Sequence, residues 1–106
     1  MLYPPLHDDP GHGLWKRDFT GACGLFGAVL HPVSDKALNA MVDGLKLFAL
    51  GFSWGGFESL IVPAHYHRSF PPKLEGPMLR FHVGLEDVDD LKADLAQGFE
   101  RLRALA

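Results

Sequence analysis

The spacing of apolar residues predicts two amphipathic helices. The first starts after Ser34, a good N-cap residue, and its apolar residues recur at three- and four-residue steps as far as Phe48, before Gly51 ends it. The second lies near the carboxyl terminus, where acidic residues at 86–90 favour a helix start and two arginines lie near the end. Its predicted buried stripe consists of Val88, Leu91, Leu95, Phe99 and Leu102.

Three segments have the pattern of strands. Residues 24–31 form a short apolar run that ends at Pro32, and residues 60–63 form a second one. Residues 78–85 have the alternation of a strand, which places Met78, Arg80 and His82 on one face. The opposite face of this strand would carry Leu79, Phe81, Val83 and Leu85.

The order of these elements predicts the fold class. Strands and helices alternate, and the chain closes on a strand and a helix, which is typical of a small α/β protein of the α+β type. We expect a small mixed or antiparallel sheet with helices packed on one face. With 106 residues, 47% of them apolar, residues 1–106 are expected to form a single domain.

Composition and charge exclude several classes of partner. The net charge is −3 and the lysines and arginines are scattered, so no nucleic-acid surface is predicted. No apolar run reaches the length of a membrane span, and no signal peptide is recognisable. A single cysteine, Cys23, fits a reducing compartment, which predicts a cytoplasmic protein. Its place before an apolar strand favours a buried thiol over a nucleophile.

Arg80 is the residue whose position most suggests chemistry. A guanidinium on a strand between apolar neighbours needs a planar anionic partner if it is partly buried. The alternative is an arginine on the solvent face of the strand, which is the commoner arrangement. His82 shares this face and could line the same site, although a structural or exposed histidine is the commoner arrangement.

Other candidate sites have weaker signatures. The glycine-rich segment at 51–58 (GFSWGGFE) is a candidate functional loop because it is flexible and unusually aromatic. His65 and His67 could share a strand face, but no metal-binding motif surrounds them, so no metal site is predicted. The glycine spacing matches neither the dinucleotide-binding nor the Walker pattern.

Three segments together resemble one enzyme family. They are WKRDFTGACGLF at 15–26, GFSWGGFESL at 51–60 and LRFHVGLEDVDDLKADLAQGF at 79–99. Their order and spacing resemble the carboxyl-terminal domain of the cystathionine β-lyase group, within the Cys/Met-metabolism family of fold type I enzymes that depend on pyridoxal 5′-phosphate (PLP). Trp54 after Ser53 resembles the β-lyases more than the γ-lyases and synthases.

The resemblance implies that substrate binding and cofactor binding are assigned to different domains of a longer enzyme. Arg80 matches the arginine that binds the α-carboxylate of an amino-acid substrate such as cystathionine, and Ser53 and Trp54 would lie against that carboxylate. PLP, its Schiff-base lysine and most phosphate ligands would belong to a large domain that this chain lacks. None of the five lysines, Lys16, Lys36, Lys46, Lys73 and Lys92, matches the Schiff-base lysine. No catalytic and no cofactor-binding residue is therefore expected in this chain.

Two functions remain open at this point. The first is the substrate-clamping part of a PLP-dependent carbon-sulfur lyase that converts cystathionine to homocysteine, pyruvate and ammonia, with this part inactive alone. The resemblance then implies a homo-oligomer, a dimer-based tetramer. The second is a free-standing, non-enzymatic module of the same fold that binds a small carboxylate or another chain.

Overall fold

Three helices and four strands make up the described fold, and three of the strands follow one another between the second and third helices. The computed structural model describes residues 1–67, 69 and 74–106. The elements, in chain order, are α1 (His12–Asp18), β1 (Leu25–Val29), α2 (Asp35–Asp43), β2 (Ala49–Leu50), β3 (Leu60–Ala64), β4 (Met78–His82) and α3 (Val88–Leu105).

The strands form one mixed sheet in the order β1-β4-β3-β2. Strand β4 lies between β1 and β3 and pairs antiparallel with both, whereas β2 pairs parallel with β3. An isolated bridge between Leu2 and Gly27 joins the amino-terminal segment to β1. The predicted α+β class and its small mixed sheet are confirmed, and β4, as an interior strand, is hydrogen-bonded along both edges.

Helices α2 and α3 cover one face of the sheet. Leu79 and Phe81 of β4 point to this face, where Phe81 stacks on Phe26 of β1 with ring centroids 5.0 Å apart. Removal of this apolar surface from water supplies most of the favourable free energy of folding. The prediction that helices pack on one face is confirmed. The buried core consists of Leu38, Met41, Val42, Phe48, Ile61, Leu79, Phe81 and Leu91.

Helix α2 is shorter than the sequence pattern predicts. It ends at Asp43 rather than continuing to Phe48, although Phe48 is buried in the core as expected. Two interactions with α3 account for the early end. Arg101 donates hydrogen bonds to the carbonyl oxygens of Ala40 and Met41, both at 3.0 Å, and the carboxylate of Asp94 binds the backbone amides of residues 46–48.

The observed starts of α2 and α3 agree with those predicted from the sequence. Ser34 caps α2, accepting a hydrogen bond from the Ala37 amide at 3.1 Å. Asp87 caps α3 by accepting from the amides of Asp89 and Asp90 at 2.9 and 3.1 Å. Each side chain satisfies helix amides that have no partner within the helix.

Two details of the carboxyl-terminal elements were predicted wrongly. Strand β4 ends at His82 instead of residue 85, and Leu85 is 85% exposed. Val88 is also exposed, as are the other residues in the first turn of α3, whereas Leu91 is buried. Leu95, Phe99 and Leu102 pack against the core as predicted.

Strand β2 and helix α1 were not predicted. Strand β2 has only two residues, both exposed, so it shows no alternation. Helix α1 has seven residues, none of them buried, and its N-cap Gly11 offers no capping side chain. Within the described ranges, no helix combines the length and the apolar character that crossing a lipid bilayer requires.

Candidate functional site

Arg80 lies on the face of β4 opposite the helices. Its cross-strand neighbours are Gly27 of β1 and Val62 of β3, so neither adjacent strand offers it a carboxylate. The side chain is half-buried. Among the residues that the structure describes, Arg80 forms no ion pair, and its one hydrogen bond goes from Nη2 to the carbonyl oxygen of Phe52. A guanidinium has five N–H donors, so most of them remain available to an anion.

The residues at 51–58, here called the glycine-rich loop, lie over this face of β4. Arg80 contacts the carbonyl oxygen of Phe52, and His82 contacts the backbone of Gly55 and Gly56. Gly55 has a φ of +78°, a conformation that costs little only for glycine. The loop is therefore attached to β4 on both sides of Ser53 and Trp54.

A separate set of hydrogen bonds fixes the end of the loop. Ser59 is fully buried and binds Glu86 twice, with its amide donating to Oε2 at 3.0 Å and its hydroxyl donating to Oε1 at 2.9 Å. The Gly84 amide donates to the same hydroxyl at 2.9 Å, and the Leu85 amide donates to the Phe57 carbonyl oxygen at 2.9 Å. Donation from the Ser59 amide lowers the pKa of Glu86, which keeps this carboxylate ionised.

The start of the loop is fixed through β2 by Asp94 of α3. Asp94 is buried and accepts three backbone hydrogen bonds, from Lys46 at 2.9 Å, Leu47 at 2.8 Å and Phe48 at 3.3 Å. Burial raises the pKa of this carboxyl group, but the three amide donors and the charge of Arg101 outweigh it, so the pKa is lowered overall. The buried charge thus sets the backbone path that leads into β2.

Arg80 is more than 25 residues from Ser53 and Trp54 along the chain, and the fold brings it to the loop that carries them. Arg80 reaches Phe52, the residue that precedes Ser53, while Ser53 is exposed and Trp54 is 64% exposed. Within the described residues, no hydrogen bond joins Arg80 to the side chain of either. Sequence analysis predicted the face that Arg80 and His82 share, but it did not predict the attachments made by His82, Glu86 and Asp94.

Two other groups of residues do not converge on this site. His65 and His67 follow β3, and within residues 1–67, 69 and 74–106 no cluster of three or more potential metal ligands is formed. A groove of about 670 Å³ lies between the amino-terminal segment and α1 and is lined by Tyr3, Leu14, Trp15 and the exposed Cys23. Cys23 is not buried, which corrects the expectation from its sequence position.

The lysines among the described residues lie outside the candidate site. A site for PLP needs an amine that can form a Schiff base with the cofactor. Lys16, Lys36, Lys46 and Lys92 are all exposed, and none lies on β4 or in the glycine-rich loop. Lys73 lies outside the described residues. Arg80 therefore stands beside a loop that could border a substrate, without a cofactor-binding lysine nearby in the part of the chain that is described.

Comparisons with known proteins place this chain in a family. The family model described as Cys/Met metabolism PLP-dependent enzyme matches residues 1–100. The chain is 45% identical to the cystathionine β-lyase of Escherichia coli over 107 residues, which cover 94% of this chain and 27% of that enzyme. It is 41% identical to an L-alanine/L-glutamate racemase of Wolbachia pipientis, covering 99% of this chain and 27% of the racemase.

The fold agrees with a solved member of the same group. A cystathionine γ-synthase from Xanthomonas oryzae, crystallised with aminoacrylate and cysteine, superposes with a TM-score of 0.82 at 32% identity, covering 98% of this chain and 29% of that chain. The present chain thus spans between a quarter and a third of the length of these relatives. These matches confirm the resemblance carried by the three sequence segments, and the chain belongs to the Cys/Met metabolism PLP-dependent enzyme family.

Proposed function

We propose that this chain is the substrate-clamping part of a PLP-dependent carbon-sulfur β-lyase, and that Arg80 binds the α-carboxylate of the substrate. The observation that carries the proposal is a half-buried guanidinium that has no ion-pair partner among the described residues and lies against the glycine-rich loop. A cation so placed is suited to an external carboxylate, which can bind two of its N–H groups in parallel.

The proposed ligand is the part of an amino acid that does not react. Cystathionine, alanine and glutamate, the compounds in the names of two relatives, differ in their side chains but share the α-carboxylate. Arg80 would hold that group while Ser53 and Trp54 border it. Fixing the carboxylate restricts rotation about the Cα bonds, which is a positioning effect on the Cα–H bond and requires no proton transfer by Arg80.

The reaction proposed for the complete protein is the β-elimination of cystathionine. With water, it yields homocysteine, pyruvate and ammonia. PLP supplies the electron-withdrawing chemistry of such a reaction when it is bound. The remaining parts of the proposal are a large domain that carries PLP, assembly as a dimer-based tetramer, and a cytoplasmic location.

A titration of the chain with L-cystathionine tests the clamp. We expect the ¹⁵N resonances of the Arg80 side chain and the Ser53 and Trp54 amides to shift with a dissociation constant on the order of 10 mM, since one charge-assisted pair open to water binds weakly. Arg80→Gln should abolish the shifts, and Arg80→Lys should weaken binding about fivefold because an ammonium lacks the planar fork.

Arg17→Gln is the matched control, since Arg17 is an exposed arginine already paired with Asp18 at 2.8 Å. This variant should bind cystathionine as the unsubstituted chain does. The proposed clamp is wrong if Arg80→Gln binds equally well. Binding that depends on Arg80 but extends to simple carboxylates without an amine, such as acetate, would favour the free-standing carboxylate-binding module.

Labelling with PLP tests whether this part is inactive alone. After incubation with PLP and reduction with borohydride, we expect mass spectrometry to find no lysine modified specifically, because the described lysines are all exposed and none lies on β4 or in the glycine-rich loop. A relative that spans the full family length, treated identically, should carry one pyridoxyl group. A single stoichiometric label on the present chain would show that it forms its own cofactor linkage.

A further inference from the structure

His82 is enclosed by the sheet and the glycine-rich loop. It is only 7% exposed, and its cross-strand neighbours, Leu25 and Leu60, are apolar. Nε2 lies 3.0 Å from the carbonyl oxygen of Gly56, and Nδ1 lies 3.5 Å from the amide nitrogen of Gly55. With the proton on Nε2, the ring donates to Gly56 and accepts from Gly55, so one neutral tautomer satisfies both contacts.

Both ring nitrogens are therefore occupied by backbone groups of the loop. A histidine that acts as a general acid or base needs one nitrogen within reach of a reacting group. His82 leaves neither nitrogen available in this arrangement. Its geometry is instead that of a support for the loop.

The two side chains of β4 attach the loop at separate points. Arg80 and His82 lie two residues apart on one face of the strand, about 6.6 Å along it. Arg80 contacts the loop at Phe52, and His82 contacts it at Gly55 and Gly56. The loop residues between the two attachments are Ser53 and Trp54, whose positions are consequently fixed from both ends.

We propose that His82 is a positioning residue for the carboxylate site: it holds the glycine-rich loop against β4 so that Ser53 and Trp54 stand beside Arg80 before substrate arrives. This inference rests on the proposed function of Arg80. Ordering a loop on binding costs free energy that is then lost from affinity. A loop that is already ordered by His82 avoids that cost, so loss of the ring contacts weakens binding even though His82 does not touch the substrate.

Three substitutions at His82 test the inference in the isolated chain. Glutamine can place an N–H group near Nε2 and keep the bond to Gly56, asparagine is too short to reach it, and leucine removes all hydrogen bonding. We expect His82→Gln to bind cystathionine within about threefold of the unsubstituted chain, whereas His82→Asn and His82→Leu should bind at least about tenfold more weakly. The same ¹⁵N titration measures these affinities.

The second measurement needs no ligand. Heteronuclear ¹⁵N relaxation should show Gly55 and Gly56 as rigid as the strands in the unsubstituted chain and in His82→Gln, and mobile on the ps–ns timescale in His82→Asn and His82→Leu. Amides of β3 and α3 report whether the rest of each variant is folded. If His82→Leu does not fold, the glutamine and asparagine variants still provide the comparison.

The outcomes separate this inference from the function it rests on. Rescue by glutamine, together with weak binding and a mobile loop in the other variants, supports it. The role of His82 would be overturned if His82→Asn and His82→Leu kept the affinity and the rigid loop of the unsubstituted chain. The clamp would still stand in that case, provided that Arg80→Gln does not bind cystathionine. Absence of cystathionine binding by the unsubstituted chain would overturn both.

Discussion

Replacing Asp94 by asparagine should lower the free energy of unfolding by about 3 kcal/mol, since bonds to a charged acceptor are lost from a buried site. The Asp94 carboxylate accepts hydrogen bonds from three consecutive backbone amides. An asparagine side chain has one accepting oxygen, so its own N–H groups would face at least one of those donors. Urea unfolding followed by circular dichroism measures the change.

The pH dependence of stability gives an independent check on Asp94. Its pKa in the folded chain lies below the ordinary value, so its stabilisation is fully present above the ordinary carboxyl pKa and is lost as the pH falls through the folded pKa. The loss of stability below about pH 4 should therefore be shallower in Asp94→Asn than in the unsubstituted chain.

Asp43→Asn is the matched control for Asp94→Asn. Asp43 is exposed at the carboxyl-terminal end of α2, where the helix dipole disfavours negative charge. Its replacement should change the free energy of unfolding by less than about 0.5 kcal/mol. A loss of stability in Asp94→Asn no larger than in Asp43→Asn would contradict the role assigned to the buried carboxylate.

Replacing Gly84 by alanine should cost about 3 kcal/mol of stability, at the upper end of the range for overpacking. A Cβ atom at this position would overlap the carbonyl oxygen of Phe57 and lie 2.7 Å from the carbonyl carbon of Glu58. These neighbours are backbone atoms, so the end of the glycine-rich loop would have to move. That movement would disrupt the bonds from Leu85 to Phe57 and from Gly84 to Ser59.

Gly56→Ala is a control within the same loop. A Cβ atom there would meet nothing within 4 Å, and Gly56 does not adopt a positive φ. Its replacement should change stability by less than about 0.5 kcal/mol. Thermal unfolding and the cystathionine titration should both show a larger loss for Gly84→Ala than for Gly56→Ala. Equal losses would contradict the close approach of the loop to Gly84.

The sequence predicted those parts of the fold that depend on local periodicity. The alternation in β4 was sufficient to assign Leu79 and Phe81 to one face, which is the core face, and Arg80 to the other. The N-cap residue Ser34 was sufficient for the start of α2, and the acidic residues at 86–90 were sufficient for the start of α3. Each of these features is determined by residues within a few positions of one another, which a sequence pattern can reveal.

Features that depend on contacts between distant residues were not predictable in this way. The end of α2 is determined by Asp94 and Arg101, about 50 to 60 residues further along the chain. Spacing alone also left two roles open for His82 and gave Glu86 only as a charge at a helix start, because the loop they bind has no periodic pattern. The role of Arg80 was suggested by family resemblance, and the structure adds its contact with Phe52.

The attachments of the glycine-rich loop use almost no side-chain atoms of the loop itself. Arg80, His82 and Leu85 bind its main chain at Phe52, Gly55, Gly56 and Phe57. Residues 52, 53, 54 and 57 could therefore be randomised in a combinatorial library while all of these hydrogen bonds to the main chain are kept. Selection from such a library would alter ligand preference on an unchanged scaffold, as hypervariable loops do in engineered binding proteins.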